Sequence, residues 1–231
     1  MLQAARAAQP NPHRLSQRVC YHSLRDTDAA FGLPLSPEMR SRLPQALRHA
    51  AEKRQREFLA GRWCAEQALR YLGAGSTHVA MAEDRAPIWP DGVVGSITHA
   101  GGFAAAAVAR AADIAGIGID SEQIIDPTAA HDIADICMVD EAGLFKAVHG
   151  RSFCEFCTFV FSAKEAVFKC LFPLARKFFE FSDVQITSLD WNRNYFEWTT
   201  VGEHAGIGRL SNADGFVHTS VELSWLGMAA E

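Results

Sequence analysis

The chain reads as an α+β protein made of two similar α+β halves. Two long stretches, residues 45–72 and 153–172, carry apolar residues at helical spacing. Each is followed by short extended segments bounded by Gly, Pro or charged residues. The resulting order, helix–strand–strand–strand, occurs near 45–119 and again near 153–224, without a residue-level repeat. These observations predict a lead-in over 1–44, a first half over 45–115 and a second over 116–231, together one globular unit.

Residues 13–44 are punctuated by Pro34, Pro37 and Pro44 and read as irregular. The first helix follows, with Leu47, Ala51, Phe58, Ala65, Leu69 and Leu72 on one side and Gly73 as its stop. Residues 73–92 read as loop around a short strand at 78–81. Segments 93–98 and 103–109 read as two strands joined at Gly101-Gly102. The second is so rich in alanine that propensity alone favours helix, but it is too short for one. Residues 114–119 form a further strand, 126–150 a weakly patterned helical region and 153–172 the second strong helix. Strands are expected at 183–189, 195–201 and 216–224.

At 231 residues, 48% hydrophobic and 21% charged, the composition is that of a globular chain with a sizeable core. A net charge of −5 argues against generic nucleic-acid binding. No apolar run approaches the roughly 20 residues needed to cross a bilayer, and no secretory leader is visible. Six cysteines without such a leader read as reduced thiols in the cytoplasm. Cys154 and Cys157 form a lone CxxC with no second pair at zinc spacing, so buried small hydrophobes are the preferred reading.

The chemistry concentrates in a few segments. In Gly116-Ile-Gly-Ile-Asp120-Ser-Glu122 the strand period places Asp120 and Glu122 on one face. Glu165 lies in Phe161-Ser-Ala-Lys-Glu165-Ala-Val-Phe-Lys169, a helical stretch. Carboxylates gathered in this way call for a cation, and hard oxygen donors favour magnesium, commonly shared with substrate phosphates. Each member has a structural alternative. Ser162 and Glu165 fit a capping box, Glu165 and Lys169 an ordinary i,i+4 pair, and acidic residues are common at strand ends. Ser96, Thr98 and His99, near a glycine-rich turn, offer donors to an anion. Arg54 and Arg62, eight residues apart, lie roughly 80° from each other on a helix and suit one phosphate.

Taken in order, these residues resemble a known family. Arg54, Glu57-Phe58 and Gly61-Arg62 come first. Then follow Pro87-x-Trp89-Pro90, Gly95-Ser-Ile-Thr-His99 and Gly118-Ile-Asp120-x-Glu122. The series ends in Phe161-Ser-Ala-Lys164-Glu165-x-x-x-Lys169 and Phe172-Pro173-Leu174. This is the order seen in the 4′-phosphopantetheinyl transferases, and the match is nearest the enterobactin-synthase-component type of the Sfp-like class. It spans about residues 45–182.

The resemblance implies a monomer of two halves related by pseudo-twofold symmetry, with coenzyme A and magnesium in the cleft between them. The implied reaction transfers the phosphopantetheine arm of coenzyme A to a serine of an acyl or peptidyl carrier protein. Adenosine 3′,5′-bisphosphate leaves. By the same resemblance Asp120, Glu122 and Glu165 hold the metal, and Ser96, His99 and Lys169 contact the pyrophosphate. Arg54 and Arg62 hold the 3′-phosphate, and Arg85 lies beside the adenine although the glycine that follows in relatives is missing. Glu165 is implied both as a ligand and as the base that takes the serine proton. Lys164 is supporting or phosphate-facing, and Phe161 stands where many relatives place Trp. The stretch 124–150 is where relatives meet their carrier. Rival readings are a magnesium-dependent nuclease and a carrier-binding module without catalysis.

Overall fold

A computed structural model of the chain describes residues 11–32, 34–146, 148–176, 180–202 and 204–225. The first ten residues of the expected lead-in lie outside these. The elements run β1 (Cys20–Leu24), α1 (Thr27–Phe31), α2 (Pro37–Ser41), α3 (Glu52–Leu72), β2 (Ala80–Met81), β3 (Pro87–Ile88), β4 (Val93–Ala100) and β5 (Phe103–Arg110). They continue as β6 (Gly116–Gln123), α4 (Pro127–Cys137), α5 (Ala142–Phe145), α6 (Phe153–Ala175), β7 (Val184–Asp190), β8 (Tyr195–Thr200), β9 (Ala205–Ala213) and β10 (Phe216–Leu223).

Two antiparallel sheets carry the architecture, ordered β1-β5-β4 and β6-β10-β9-β8-β7. In each, the strand before the long helix and the later hairpin share one arrangement. Strand β5 lies between β1 and β4 just as β10 lies between β6 and β9. The repeated unit therefore opens with a strand ahead of each helix, one element earlier than the sequence order suggests. Strand β1, expected as irregular chain, pairs along its whole length with β5. Strand β9 also escapes the sequence pattern because Gly206 and Gly208 read as loop. A Cβ at Gly208 would sit 2.0 Å from the Phe196 ring, and one at Gly206 2.8 Å from Trp198, so these glycines make room for cross-strand aromatics.

The alanine-rich strand β5 is buried from Phe103 to Ala109 between two layers. Ala104, Ala106 and Val108 face α3 through Ala60, Cys64, Ala68 and Leu69. Phe103, Ala105, Ala107 and Ala109 face Ile117 and Ile119 of β6. Small side chains let both layers close on the strand, and tertiary packing overrides helix propensity. In the second half α6 lies across the sheet, with Phe156, Phe159 and Val167 against Ile186, Trp198 and Leu210. Its start is set by Ser152, whose hydroxyl accepts the Glu155 N–H while the Glu155 carboxylate accepts the Ser152 N–H.

Two contacts join the halves where the site lies. The Ile119 N–H donates to Ser96 Oγ at 3.0 Å and the Ser121 N–H to Thr98 Oγ1 at 2.9 Å. Hydroxyls of β4 thus satisfy backbone donors of β6 that its sheet leaves over. Helix α6 comes down on the other side of β6 at Gly118. A Cβ there would lie 1.8 Å from the Ala166 carbonyl oxygen, so only glycine permits this approach.

Candidate active site

The cleft between the halves has a volume of about 460 Å³, and its walls include Arg54, Arg62, Arg85, Ser96, Thr98, His99, Asp120, Glu122, Glu165 and Lys169. Helix α3 supplies the arginines, the β2–β3 turn supplies Arg85, β4 and β6 the central strands, and α6 the far wall.

On β6, Asp120 and Glu122 face the cleft while Ser121 points to the opposite side, as the strand period requires. Lys169 Nζ donates to Asp120 Oδ1 at 2.5 Å, and Thr98 Oγ1 donates to the same oxygen at 3.3 Å. The other oxygen, Oδ2, is buried with no hydrogen-bond partner. Burial and then the Asp120 charge push the Glu122 carboxyl up to about 8, with Glu165 and Glu57 adding to the rise. Burial likewise raises Glu165. For Lys169 burial favours the neutral amine, but Asp120, Glu165 and Glu122 outweigh it and raise its pKa. Among the described residues no three His, Cys, Asp or Glu side chains form a ready-made metal cluster. The cation that Asp120 faces is the Lys169 ammonium.

The structure removes the capping explanation of Glu165. Helix α6 begins at Phe153 behind Ser152, so Glu165 sits in mid-helix, and Ser162 exchanges a 2.8 Å hydroxyl contact with Thr219. Phe161, Glu165, Phe168, Lys169 and Phe172 occupy one helical face along the cleft. Lys164 turns away from it. Its buried ammonium pairs with Glu141 Oε1 at 2.7 Å and donates to the Phe181 carbonyl at 3.0 Å, which makes it supporting and not phosphate-facing.

The opposite wall is cationic. Arg62 stacks over Phe58 at 4.7 Å and donates to the Ala80 carbonyl at 3.2 Å, while its buried Nε has no partner. Burial, then the nearby charge of Arg54, lowers Arg62 to about 10. Arg54 Nη1 donates to His99 Nε2 at 2.8 Å, so that nitrogen is unprotonated and the ring proton sits on Nδ1, 3.7 Å from Glu57 Oε2. Burial first, then Arg54 and Lys169, holds His99 down to about 4. His99 is thus a neutral acceptor for Arg54 and not a phosphate cation by itself. Ser96 is likewise engaged: its oxygen accepts from Ile119, and its proton remains to donate to a ligand. Arg85 adopts a left-handed backbone at φ 69 in the turn closed by Ala82 and Ala86.

Glu57 and the aromatic wall of α6 had no assigned role in the sequence reading. Their signal was present, since Glu57 lies one turn from Arg54 and the phenylalanines share the helical period of Glu165 and Lys169.

An acidic strand and a guanidinium wall sharing one cleft define a site for a phosphate-rich ligand. The 4′-phosphopantetheinyl transferase N-terminal domain matches residues 43–109, and the 4′-phosphopantetheinyl transferase superfamily domain matches residues 116–219. The chain belongs to the 4′-phosphopantetheinyl transferase superfamily. It is 37% identical over 139 residues to the 4′-phosphopantetheinyl transferase Npt of Nocardia iowensis, covering 60% of this chain and 61% of that one. It is 38% identical over 147 residues to the 4′-phosphopantetheinyl transferase Svp of Streptomyces mobaraensis, covering 62% and 59%. With enterobactin synthase component D of Escherichia coli K12 it shares 41% over 123 residues, covering 53% and 57%. The chain thus spans about three-fifths of the length of these curated relatives.

Proposed function

We propose that the protein transfers the 4′-phosphopantetheine group of coenzyme A to a serine hydroxyl of an acyl or peptidyl carrier protein. The observation that carries this reading is the gathering of Asp120, Glu122, Glu165 and Lys169 opposite Arg54 and Arg62 in one cleft. Arg62, with an unpartnered buried donor beside a second guanidinium, is suited to the 3′-phosphate of coenzyme A. His99 holds Arg54 in place from the neutral side.

The carboxylates of Asp120, Glu122 and Glu165 suit magnesium. All are hard oxygen donors, Asp120 Oδ2 is buried without a partner, and burial, with Asp120 close by, raises Glu122 and Glu165 despite the Lys169 ammonium. Bound there, magnesium would neutralise pyrophosphate charge. The serine oxygen attacks the β-phosphorus, the bond from that phosphorus to the bridging oxygen breaks, and adenosine 3′,5′-bisphosphate departs. Glu165, raised by burial, accepts the serine proton. Lys169 steadies negative charge as it grows on the phosphate oxygens. The proposed working unit is a monomer. Coenzyme A as substrate supports a cytoplasmic location.

The experiment is incubation of the full chain with coenzyme A, magnesium and a panel of apo carriers, read by carrier mass. Gain of a phosphopantetheine arm by at least one carrier is expected. No gain with any of them, or cleavage of duplex DNA under the same conditions, would overturn the reading.

A further inference from the structure

Residues 12–16, ahead of the first strand, form a strap across the back of the second sheet. Ser211 Oγ donates to the Pro12 carbonyl at 2.6 Å and Ser220 Oγ to the His13 carbonyl at 2.6 Å. Glu222 accepts from the Ser16 N–H at 2.8 Å and from its hydroxyl at 2.6 Å. The strap delivers one side chain, His13, to a fully buried position behind β6.

His13 Nε2 lies 3.0 Å from Ser121 Oγ and 3.2 Å from the Asp120 carbonyl oxygen. A carbonyl only accepts, so Nε2 carries the ring proton. Ser121 then passes its own proton to His218 Nδ1 at 2.8 Å. The outer nitrogens, His13 Nδ1 and His218 Nε2, are buried without partners among Tyr21, Phe103 and Phe216. An orphaned buried nitrogen is costly, and an apolar side chain would fill this space without it. What the imidazole alone supplies is the donor aimed at the 120–121 peptide.

We propose that His13 is a positioning residue, clamping the Asp120–Ser121 peptide from behind so that Asp120 and Glu122 keep their aim into the cleft. The inference rests on the function proposed above. Partners behind ligating carboxylates fix their orientation, and losing one typically weakens metal affinity or activity about 10–100-fold.

The test uses the full chain and four proteins: parent, His13→Gln, His13→Leu and Ser121→Ala. Manganese binding by electron paramagnetic resonance, kcat, KM for coenzyme A and thermal unfolding are measured, with assays held below every midpoint. His13→Leu should weaken manganese binding and lower kcat by about tenfold or more. Its KM for coenzyme A should stay within about threefold, because the arginine wall is untouched. His13→Gln, which retains a terminal N–H donor, should recover most of both losses. Manganese affinity and kcat within about twofold of the parent in His13→Leu would defeat the inference. So would a His13→Gln variant no better than His13→Leu. Should His13→Leu fail to fold, His13→Gln near parental and Ser121→Ala weakened in manganese binding support the clamp, and parental binding by Ser121→Ala defeats it. A parent that neither binds manganese nor transfers removes the proposed function itself. A parent that does both beside an insensitive His13→Leu removes only the clamp.

Discussion

Lys169 Nζ sits 2.5 Å from Asp120 Oδ1, so the cleft holds its deepest carboxylate against an ammonium from α6. Asp120 is almost fully buried whereas the Lys169 side chain is 27% exposed. Removing the lysine strands a buried charge, at a cost below that of a fully enclosed pair. Lys169→Met should lose roughly 2–3 kcal/mol of stability in chelator, measured by urea unfolding. Magnesium should return much of it, because a divalent cation takes over the neutralising role. Transfer should nevertheless fall about 100-fold or more, since the charge beside the phosphate is gone. Equal stability losses with and without magnesium would show that the two cations do not share Asp120.

The Glu122 carboxyl gives a pH signature. Burial, then Asp120, raises it from an ordinary 4.5 to about 8, so between those values the folded chain holds a proton that the unfolded chain has released. Its stabilising contribution is complete below 4.5 and is lost as pH rises through about 8. Glu165, also raised, acts with the same sign. In chelator, the unfolding midpoint of the parent should therefore decline across this window, and Glu122→Gln should decline less steeply. Magnesium should flatten the parent curve by favouring the ionised carboxylate. Parallel curves for parent and variant would show that Glu122 is not the group responsible.

Arg62 and Arg54 offer a chemical subtraction. Arg62 has a buried donor without a partner, and Arg54 adds its charge alongside. If they grip the 3′-phosphate, Arg62→Ala should raise KM for coenzyme A by about 10–100-fold, the worth of one or two charge-assisted hydrogen bonds. With dephospho-coenzyme A, which lacks that phosphate, parent and variant should have similar KM values. A variant that loses equally on both substrates would place the arginine elsewhere on the ligand.

Much of the site was legible because its residues obey local periods. Asp120 and Glu122 share a face through the strand repeat, and Glu165 and Lys169 through the helical one. The long helices were legible for the same reason. What the sequence hid depends on partners distant along the chain. Strand β1 exists because β5 offers it an edge, and β9 because Trp198 and Phe196 cover its glycines. Lys164 read as either supporting or phosphate-facing, and only its distant partner Glu141, on the other side of α6, decides for the first. Ser96 read as a ligand contact, yet its oxygen first serves the backbone of β6. His13 lies 107 residues from the Asp120 carbonyl it holds, beyond any local pattern.

The approach of α6 to β6 sets the spacing of the acidic residues, and Gly118 controls it. A Cβ at 118 would meet the Ala166 carbonyl oxygen at 1.8 Å and the Cys170 nitrogen at 2.8 Å. Both are backbone atoms, so no side-chain rotation relieves the clash, and the helix must back away. Gly118→Ala should therefore cost about 3 kcal/mol or more, read from the urea midpoint. Glu165 immediately precedes Ala166 and moves with it, away from Asp120 and Glu122. A displacement of about 1 Å at a reacting group costs on the order of 100-fold in rate, so kcat in the folded fraction should fall by that scale. KM for coenzyme A should change little, because Arg54 and Arg62 are carried by α3 in the other half. Retention of parental stability and kcat by Gly118→Ala would mean that the helix contact does not set the geometry of the acidic cluster.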